Sequence, residues 1–268
     1  MGCRQNRANH AKDVGVRDIT IVAIDFLYYD LTRRAIEISL PAIDPKEVIV
    51  ISDRNFMPGA KFVPTKKMTR MEDIAELMLK WTWPLVETTH AIFVQWDGMA
   101  TRPDLWTDDF LNYDYIGAPW PWKGEGQNIG NGGFSLRSRR LLEACGRDAA
   151  VRLTRDEPIA EDNIIGQHCR AYLETQHAIK FAPTELASLF SYELEQYRES
   201  FGFHGLWNIV NNLSRADVDY FLSRLNYQGW NQYKWHHFLT ALQQRGYNDH
   251  LAYALKQLEK YNPEYVKV

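Results

Sequence analysis

Three short, unbroken runs of β-branched and apolar residues constrain this chain most. They are Ile19 to Ile24 (ITIVAI), Glu47 to Asp53 (EVIVISD) and His90 to Gln95 (HAIFVQ). A strand with one wet face alternates polar and apolar side chains. A continuous apolar strand is buried on both faces, as in a parallel sheet covered by helices. Between the first two runs, Leu31 to Leu40 has helical spacing, and Pro41 is expected to stop it. Between the second and third, Met71 to Val86 reads as a helix with Met71, Ile74, Leu77, Met78 and Trp81 as its apolar stripe. This β-α-β-α-β order predicts a parallel, twisted sheet with right-handed crossovers.

After Asp97 the pattern becomes irregular. Tyr113 to Ile116 and Gly133 to Leu136 read as short strands around a Pro/Trp/Gly-rich loop, Gly117 to Gly130. Helices are expected over Ser138 to Cys145 and Glu161 to Glu174, with a strand at Ile179 to Ala182. From Ser214 onward, Arg215–Leu225, Lys234–Arg245 and Asp249–Tyr261 are amphipathic and predict a helical appendage packed on the core.

Composition narrows the function classes. The chain has 268 residues, 45% hydrophobic and 24% charged, which suits a globular protein and excludes a disordered or collagen-like one. Its 31 Lys and Arg against 34 Asp and Glu leave a net charge of −3, so no nucleic-acid partner is expected. The three cysteines, Cys3, Cys145 and Cys169, give no disulfide framework or zinc spacing and point to a reducing cytoplasm. No apolar run reaches the roughly 18 residues of a membrane span. The polar segment Met1 to Asp18 lacks a signal-peptide core. A cytoplasmic location is therefore expected, with peripheral contact to a membrane left open.

Four pieces carry chemistry. In Phe93-Val94-Gln95-Trp96-Asp97-Gly98, a carboxylate directly follows a buried strand. There it faces the crevice at the carboxyl ends of the strands and suits Mg²⁺ or Mn²⁺; an ordinary Asp-Gly turn is the plain alternative. Asp53 ends the second strand in the same way. Gly130-Asn131-Gly132-Gly133 removes side chains where a backbone must approach a ligand, or simply turns the chain. It follows Pro119-Trp120-Pro121-Trp122, whose rings can stack on a sugar or base, or shield the loop. Glu161 and Asp162 open a helix, where acids complement the dipole; Asp162 can also serve as a general base. His204, in Phe201-Gly202-Phe203-His204-Gly205, is presented on a sharp loop as a metal ligand. Lys123 or Arg137 could meet phosphates, but each reads first as a surface charge, and so do His236 and His237.

Taken in order, these pieces resemble the GT-A glycosyltransferase core: a metal-binding Asp-x-Asp, a glycine-rich loop, an x-Glu-Asp helix start and a late metal-binding histidine. The strings FVQWDG, YDYIGAPWPW, GNGGFSLRSRRLLEA and FGFHG are similar to a bacterial and phage family described as a domain of unknown function, DUF5672. The resemblance spans about residues 19–210. It implies an α/β fold with a mixed, mostly parallel sheet, a flexible tail over 1–18, a catalytic domain over 19–210 and a C-terminal helical extension over 211–268.

It also implies a hexosyltransferase that uses a nucleotide-sugar donor, a UDP-hexose, and a glycan or other hydroxyl acceptor. Asp97 and His204 would hold Mn²⁺ or Mg²⁺. Asp162, with Glu161, would deprotonate the acceptor and give inversion. Asp53, Gln95, Trp96, Gly132, Gly133, Trp120 and Trp122 would line the substrates. One departure matters: Gln95 stands where the family carries the first Asp of Asp-x-Asp, and an amide adds no charge. Two readings therefore stay open, a metal-assisted transferase and a catalytically inactive relative that binds nucleotide sugar or glycan.

Overall fold

The computed structural model describes residues 16–124, 126–153, 160–194 and 197–265. Most of the expected tail, residues 1–15, lies outside them; Arg17 and Asp18 already belong to the first strand.

The central sheet holds β1 (Arg17–Ile24), β2 (Pro45–Ser52), β3 (Lys61–Pro64), β4 (His90–Val94), β6 (Tyr115–Gly117) and β7 (Phe134–Ser138), in the order β3-β2-β1-β4-β7-β6. β5 (Gly98–Ala100) leaves this sheet immediately after β4. The first four strands of the central sheet run parallel, and β7 pairs antiparallel with both β4 and β6. This is the mixed, mostly parallel GT-A-like α/β architecture expected from the sequence.

The continuous apolar runs are buried on both faces, as their composition requires. Ile19, Ile21, Ala23 and Ile92 join Leu31, Ala35 and Ile36 of α1 (Tyr29–Ile43) in one core. Val22, Ile49, Phe93 and Ala91 face the other way, onto Met78, Val86 and Leu142.

Pro41 does not stop α1. It sits one turn from the end, where its missing N–H forfeits a single bond, and Ala42 and Ile43 beyond it are buried. The helix ends instead at Asp44, whose left-handed backbone returns its N–H to the Leu40 carbonyl at 2.8 Å. The helix expected over Met71 to Val86 is shorter: α2 (Met71–Glu76) passes into a π-helical turn, Leu77–Trp81. The wider turn rotates the positions after it off the stripe by about 100° per extra residue. Met78 and Leu79 are buried, while Trp81 is 63% exposed.

The later part contains α3 (Arg139–Arg147), α4 (Glu161–Asn163), a second π turn (Ile164–His168), α5 (Arg170–His177) and α6 (Thr184–Phe190). The strand expected at Ile179 to Ala182 reduces to one bridge, Tyr115 to Phe181. A second sheet, absent from the sequence reading, joins β5 antiparallel to β9 (Gly202–His204), which lies parallel to β8 (Ser191–Tyr192). After it come α7 (Leu206–Asn212), α8 (Arg215–Leu222), α9 (Gln232–Gln244) and α10 (Asn248–Tyr261). The last three are the expected amphipathic appendage. Val218, Phe221, Trp235, Phe238 and Leu258 continue the main core, and Arg34 of α1 pairs with Asp217 of α8 at 2.6 Å.

Candidate active site

The small sheet creates the site. Asp97 lies in the turn between β4 and β5, closed by the Gly98 N–H donating to the Gln95 carbonyl at 3.1 Å. Gly98 pairs with His204 across β5 and β9, and Gly205 donates to the Asp97 carbonyl at 2.9 Å. Two residues more than a hundred positions apart are thereby fixed side by side, with His204 Nε2 3.3 Å from Asp97 Oδ1. Both are mostly buried, and among the described residues Nε2 has Asp97 as its ion-pair partner and makes no hydrogen bond.

The other ring nitrogen is fully engaged. His204 Nδ1 lies 3.0 Å from Glu193 Oε1, and Asn131 Nδ2 donates to Glu193 Oε2 at 2.9 Å. A carboxylate on Nδ1 orients the ring and directs Nε2 at Asp97. With carboxylates on both sides, Nε2 is a place for positive charge. Burial opposes the imidazolium, but Asp97 and Glu193 outweigh it and hold His204 well above its ordinary value. A divalent ion in place of that proton would find an imidazole nitrogen and a carboxylate oxygen, a donor pair suited to Mn²⁺. Nε2, with no hydrogen bond and the Asp97 carboxylate facing it, therefore fits a metal. Among the described residues no cluster of three or more His, Cys, Asp or Glu could hold one, so other ligands would come from substrate and water.

The glycine loop separates this pair from the acidic helix start. A Cβ on Gly133 would fall 2.1 Å from His204 Nε2; one on Gly132 would fall 2.5 Å from Glu161 Oε1. The Gly132 N–H donates to Asp162 Oδ2 at 3.0 Å, and the Gly133 carbonyl accepts from the Gln95 N–H at 3.0 Å. Asp97 and His204 on one side, and Asp162 on the other, thus border one short stretch of bare backbone.

Glu161 and Asp162 have different environments. Glu161 is buried against Arg137, with Nη2 to Oε1 at 2.7 Å. Arg137 is itself fully buried beneath Phe93, its guanidinium 4.0 Å from the ring centre. The surface position expected for Arg137 is corrected: it lies in β7, whose residues are all buried, and the Glu161 carboxylate compensates its charge. Among the described residues Asp162 has no ion-pair partner of its own. Burial first, then the Glu161 charge, pushes its carboxyl from 3.8 up to about 7, despite the Gly132 N–H and Arg137.

The other expected residues fall into two groups. Asp53 ends β2 and accepts the Tyr29 hydroxyl at 2.8 Å, with Arg54 stacked on Tyr29 at 4.1 Å. Trp96 lies against Tyr28, their rings 4.8 Å apart. Asp53 and Trp96 lie at the carboxyl ends of β2 and β4, the two parallel strands that flank β1. Trp120 has no free face: it is 5% exposed, and a Cβ on Gly130 would fall 2.1 Å from its ring. Packing on Gly130 thus takes the indole that was expected to stack on substrate. Trp122 stacks outside it and is 60% exposed.

Sequence reasoning missed Asp25, Asn131 and Glu193. Asp25 carries the same signal as Asp53 and Asp97, an acid directly after a buried strand. It accepts the N–H groups of Leu27 and Tyr28 and the Thr32 hydroxyl, fixing the turn into α1. Glu193 gives no local signal, because only the pairing of β8 with β9 brings it to His204.

The family model described as "Protein of unknown function (DUF5672)" matches residues 59–204, more than half of the chain. No curated protein sequence matches. Among solved structures the chain is similar to a glycosyltransferase involved in the glycosylation of the major capsid of PBCV-1, at 12% identity over 77% of this chain and 99% of that one, with a TM-score of 0.49. It is also similar to S. aureus TarS, at 11% identity over 85% of this chain and 48% of that one, TM-score 0.42. A third is glucosyl-3-phosphoglycerate synthase from Mycobacterium tuberculosis, solved with Mn²⁺, UDP and phosphoglyceric acid, at 14% identity over 62% and 80%, TM-score 0.34.

Proposed function

The chain belongs to the DUF5672 family, and from its site we propose that it is a glycosyltransferase moving a sugar from a nucleotide-sugar donor, a UDP-hexose, to an acceptor hydroxyl with inversion. One observation carries this reading. Asp97 and His204 Nε2, an ion pair 3.3 Å apart, face the same bare glycine loop that Asp162 borders from the other side. That arrangement provides a seat for a cation and a separate base, which displacement of a diphosphate by a hydroxyl requires.

Asp97 and His204 are the residues that would hold Mn²⁺ or Mg²⁺. When bound, the ion would supply Lewis-acid neutralisation of the charge growing on the departing diphosphate. Gly132 and Gly133 keep side chains out of the space between cation seat and base. Asp162, as carboxylate, takes the acceptor hydroxyl proton while the acceptor oxygen bonds to the anomeric carbon. The bond from that carbon to the diphosphate oxygen breaks, and its electron pair leaves with the diphosphate. A base across the ring from the leaving group gives inversion, by the geometry of inverting glycoside hydrolysis. Glu161 acts as a positioning residue, tied to Arg137, and its charge raises the basicity of Asp162.

Gln95 favours a second reading, a relative that binds nucleotide sugar without turning it over, because its amide withholds one charge from the cation seat. UDP release from UDP-glucose and UDP-galactose, with and without Mn²⁺, separates the two. Metal-dependent release that disappears in Asp97→Ala supports the transferase. UDP-sugar binding without release by the wild-type protein favours the binding relative, and unchanged release in Asp97→Ala removes the cation-seat assignment.

A further inference from the structure

The carboxylate of Asp162 is held at both oxygens, but unequally. Oδ1 accepts twice from the next residue: from the side-chain Nδ2 of Asn163 at 3.0 Å, and from its N–H at 2.7 Å, which is shared with the Ala160 carbonyl at 3.1 Å. Oδ2 accepts once, from the Gly132 N–H at 3.0 Å. The Asn163 amide is itself fixed. Its Oδ1 accepts from Gln167 Nε2 at 3.2 Å, four residues on in the second π turn, which leaves its Nδ2 to face Asp162.

An ionised carboxylate offers about two acceptor sites on each oxygen. Both sites of Oδ1 are filled, whereas Oδ2 keeps one free among the described residues. Oδ2 is also the oxygen turned to the glycine loop, across which Asp97 and His204 lie. A proton arriving from that side meets Oδ2 first and finds no second vacancy on Oδ1.

We propose that Asn163 is a positioning residue for the base: fixed by Gln167, its amide occupies Oδ1 of Asp162 and leaves Oδ2 as the atom that takes the acceptor proton. This rests on the transferase reading above. It gives the turn that follows the acidic pair a part in the chemistry.

The amide also acts on the charge. A donor on a carboxylate favours the ionised form, so its loss makes Asp162 keep its proton to higher pH. Asn163→Leu removes that donor and retains the backbone N–H and much of the volume. The other groups that face Asp162 are Glu161 of its own turn, Arg137 of β7 and Tyr115 of β6. Their bonds go elsewhere, from Arg137 to Glu161 and from Tyr115 to the Gly130 carbonyl, so the substitution leaves them in place.

Two readouts on the full chain test the role. The first is the titration of the Asp162 carboxyl carbon by ¹³C NMR in aspartate-labelled protein, assigned by its loss in Asp162→Asn. The second is the acid limb of kcat/KM for UDP release from UDP-glucose with Mn²⁺, water standing in for the acceptor hydroxyl. In Asn163→Leu both should move up by about one pH unit, the order of one hydrogen bond to a charged group. The kcat plateau should fall about tenfold, because the freed Oδ1 now competes for the proton that a positioned base directs. Gln167→Ala leaves Asn163 in place with its amide free to turn. It should move both readouts the same way by less, and it decides the matter if Asn163→Leu does not fold. A carbon titration unmoved in these variants, even with kcat reduced, marks a merely structural residue and overturns the role while the transferase stands. A carbon titration that moves while the acid limb stays put places the base outside Asp162 and overturns that assignment, and the role with it. No UDP release by the wild-type chain overturns the transferase reading itself, whatever the carbon titration does, and takes the catalytic role with it.

Discussion

Gly133 lies directly against the His204 imidazole, close enough that a β-carbon at position 133 would stand 2.1 Å from Nε2. Real β-carbons do not come that near, so Gly133→Ala must displace a ring held in place by Asp97, Asn131 and Glu193. Overpacking of this kind costs about 1–3 kcal/mol. The expected outcome is a thermal midpoint lowered by several degrees and transfer reduced at least about 100-fold, the order of effect of a misplacement near 1 Å. Gly124→Ala, where an added carbon meets nothing within 4 Å, should leave both unchanged. Full turnover by Gly133→Ala would contradict a reactive centre at His204.

Asp162 makes the reaction pH-dependent in a definite direction. Its carboxyl is raised to about 7, so below that pH the base is protonated and idle. kcat/KM should therefore fall as pH drops through about 7, with a slope of one proton, and the limb should vanish in Asp162→Asn together with most of the transfer. Stability carries the opposite sign. The folded chain holds this proton more tightly than the unfolded chain, whose carboxyl has its ordinary value of 3.8, so stability should decline as pH rises from about 4 to about 7. Comparing urea midpoints of wild type and Asp162→Asn across that window isolates the contribution, and identical pH profiles would refute it.

What the sequence made legible follows from how local each signal is. The apolar runs around Ile21, Val50 and Ile92 announce buried strands because composition alone encodes two-sided burial, and the sheet has them in place. Asp97 is legible for the same reason, as an acid at the end of such a run. Pro41 and Trp81 misled, since helix continuation past Pro41 and the π turn that ends at Trp81 are decided by packing, which overrides local rules. Arg137 and Glu193 were not legible. Charged residues are rarely buried, and what tolerates them here is a partner 24 residues away for Arg137 and a three-stranded sheet for Glu193. Trp120 reads either way in sequence, because only the fold sets its ring against Gly130.

Glu193 should tune metal affinity without touching the metal. Its carboxylate accepts from His204 Nδ1 and from Asn131, so it orients the ring and makes Nε2 a better donor. Glu193→Gln keeps the shape and removes the charge. The expected result is Mn²⁺ binding weakened by about 10–100-fold in a titration calorimeter, with turnover restored at high Mn²⁺. Asp97→Asn should weaken binding further and resist such rescue. Equal Mn²⁺ affinity in wild type and Glu193→Gln would remove the carboxylate from the site's support.

Arg137 and Glu161 link stability to catalysis through one buried pair. Neither charge reaches solvent, so removing one partner strands the other. Arg137→Met should lower unfolding free energy by about 3–5 kcal/mol, whereas Arg137→Met combined with Glu161→Leu, leaving no buried charge of the pair, should recover much of that loss. The pair also sets Asp162, because the Glu161 charge is what raises that carboxyl beyond the effect of burial, and Arg137 opposes it. In Glu161→Gln both influences act the same way: the repelling carboxylate is gone and the attracting guanidinium is left unbalanced. The acid limb of the kcat/KM profile should therefore move to lower pH, with a weaker base and a lower plateau, in a protein of reduced thermal midpoint. Glu161→Asp, which keeps the charge, should leave the limb near its wild-type position. A limb that stays put in Glu161→Gln would mean that the titrating base is a group other than Asp162.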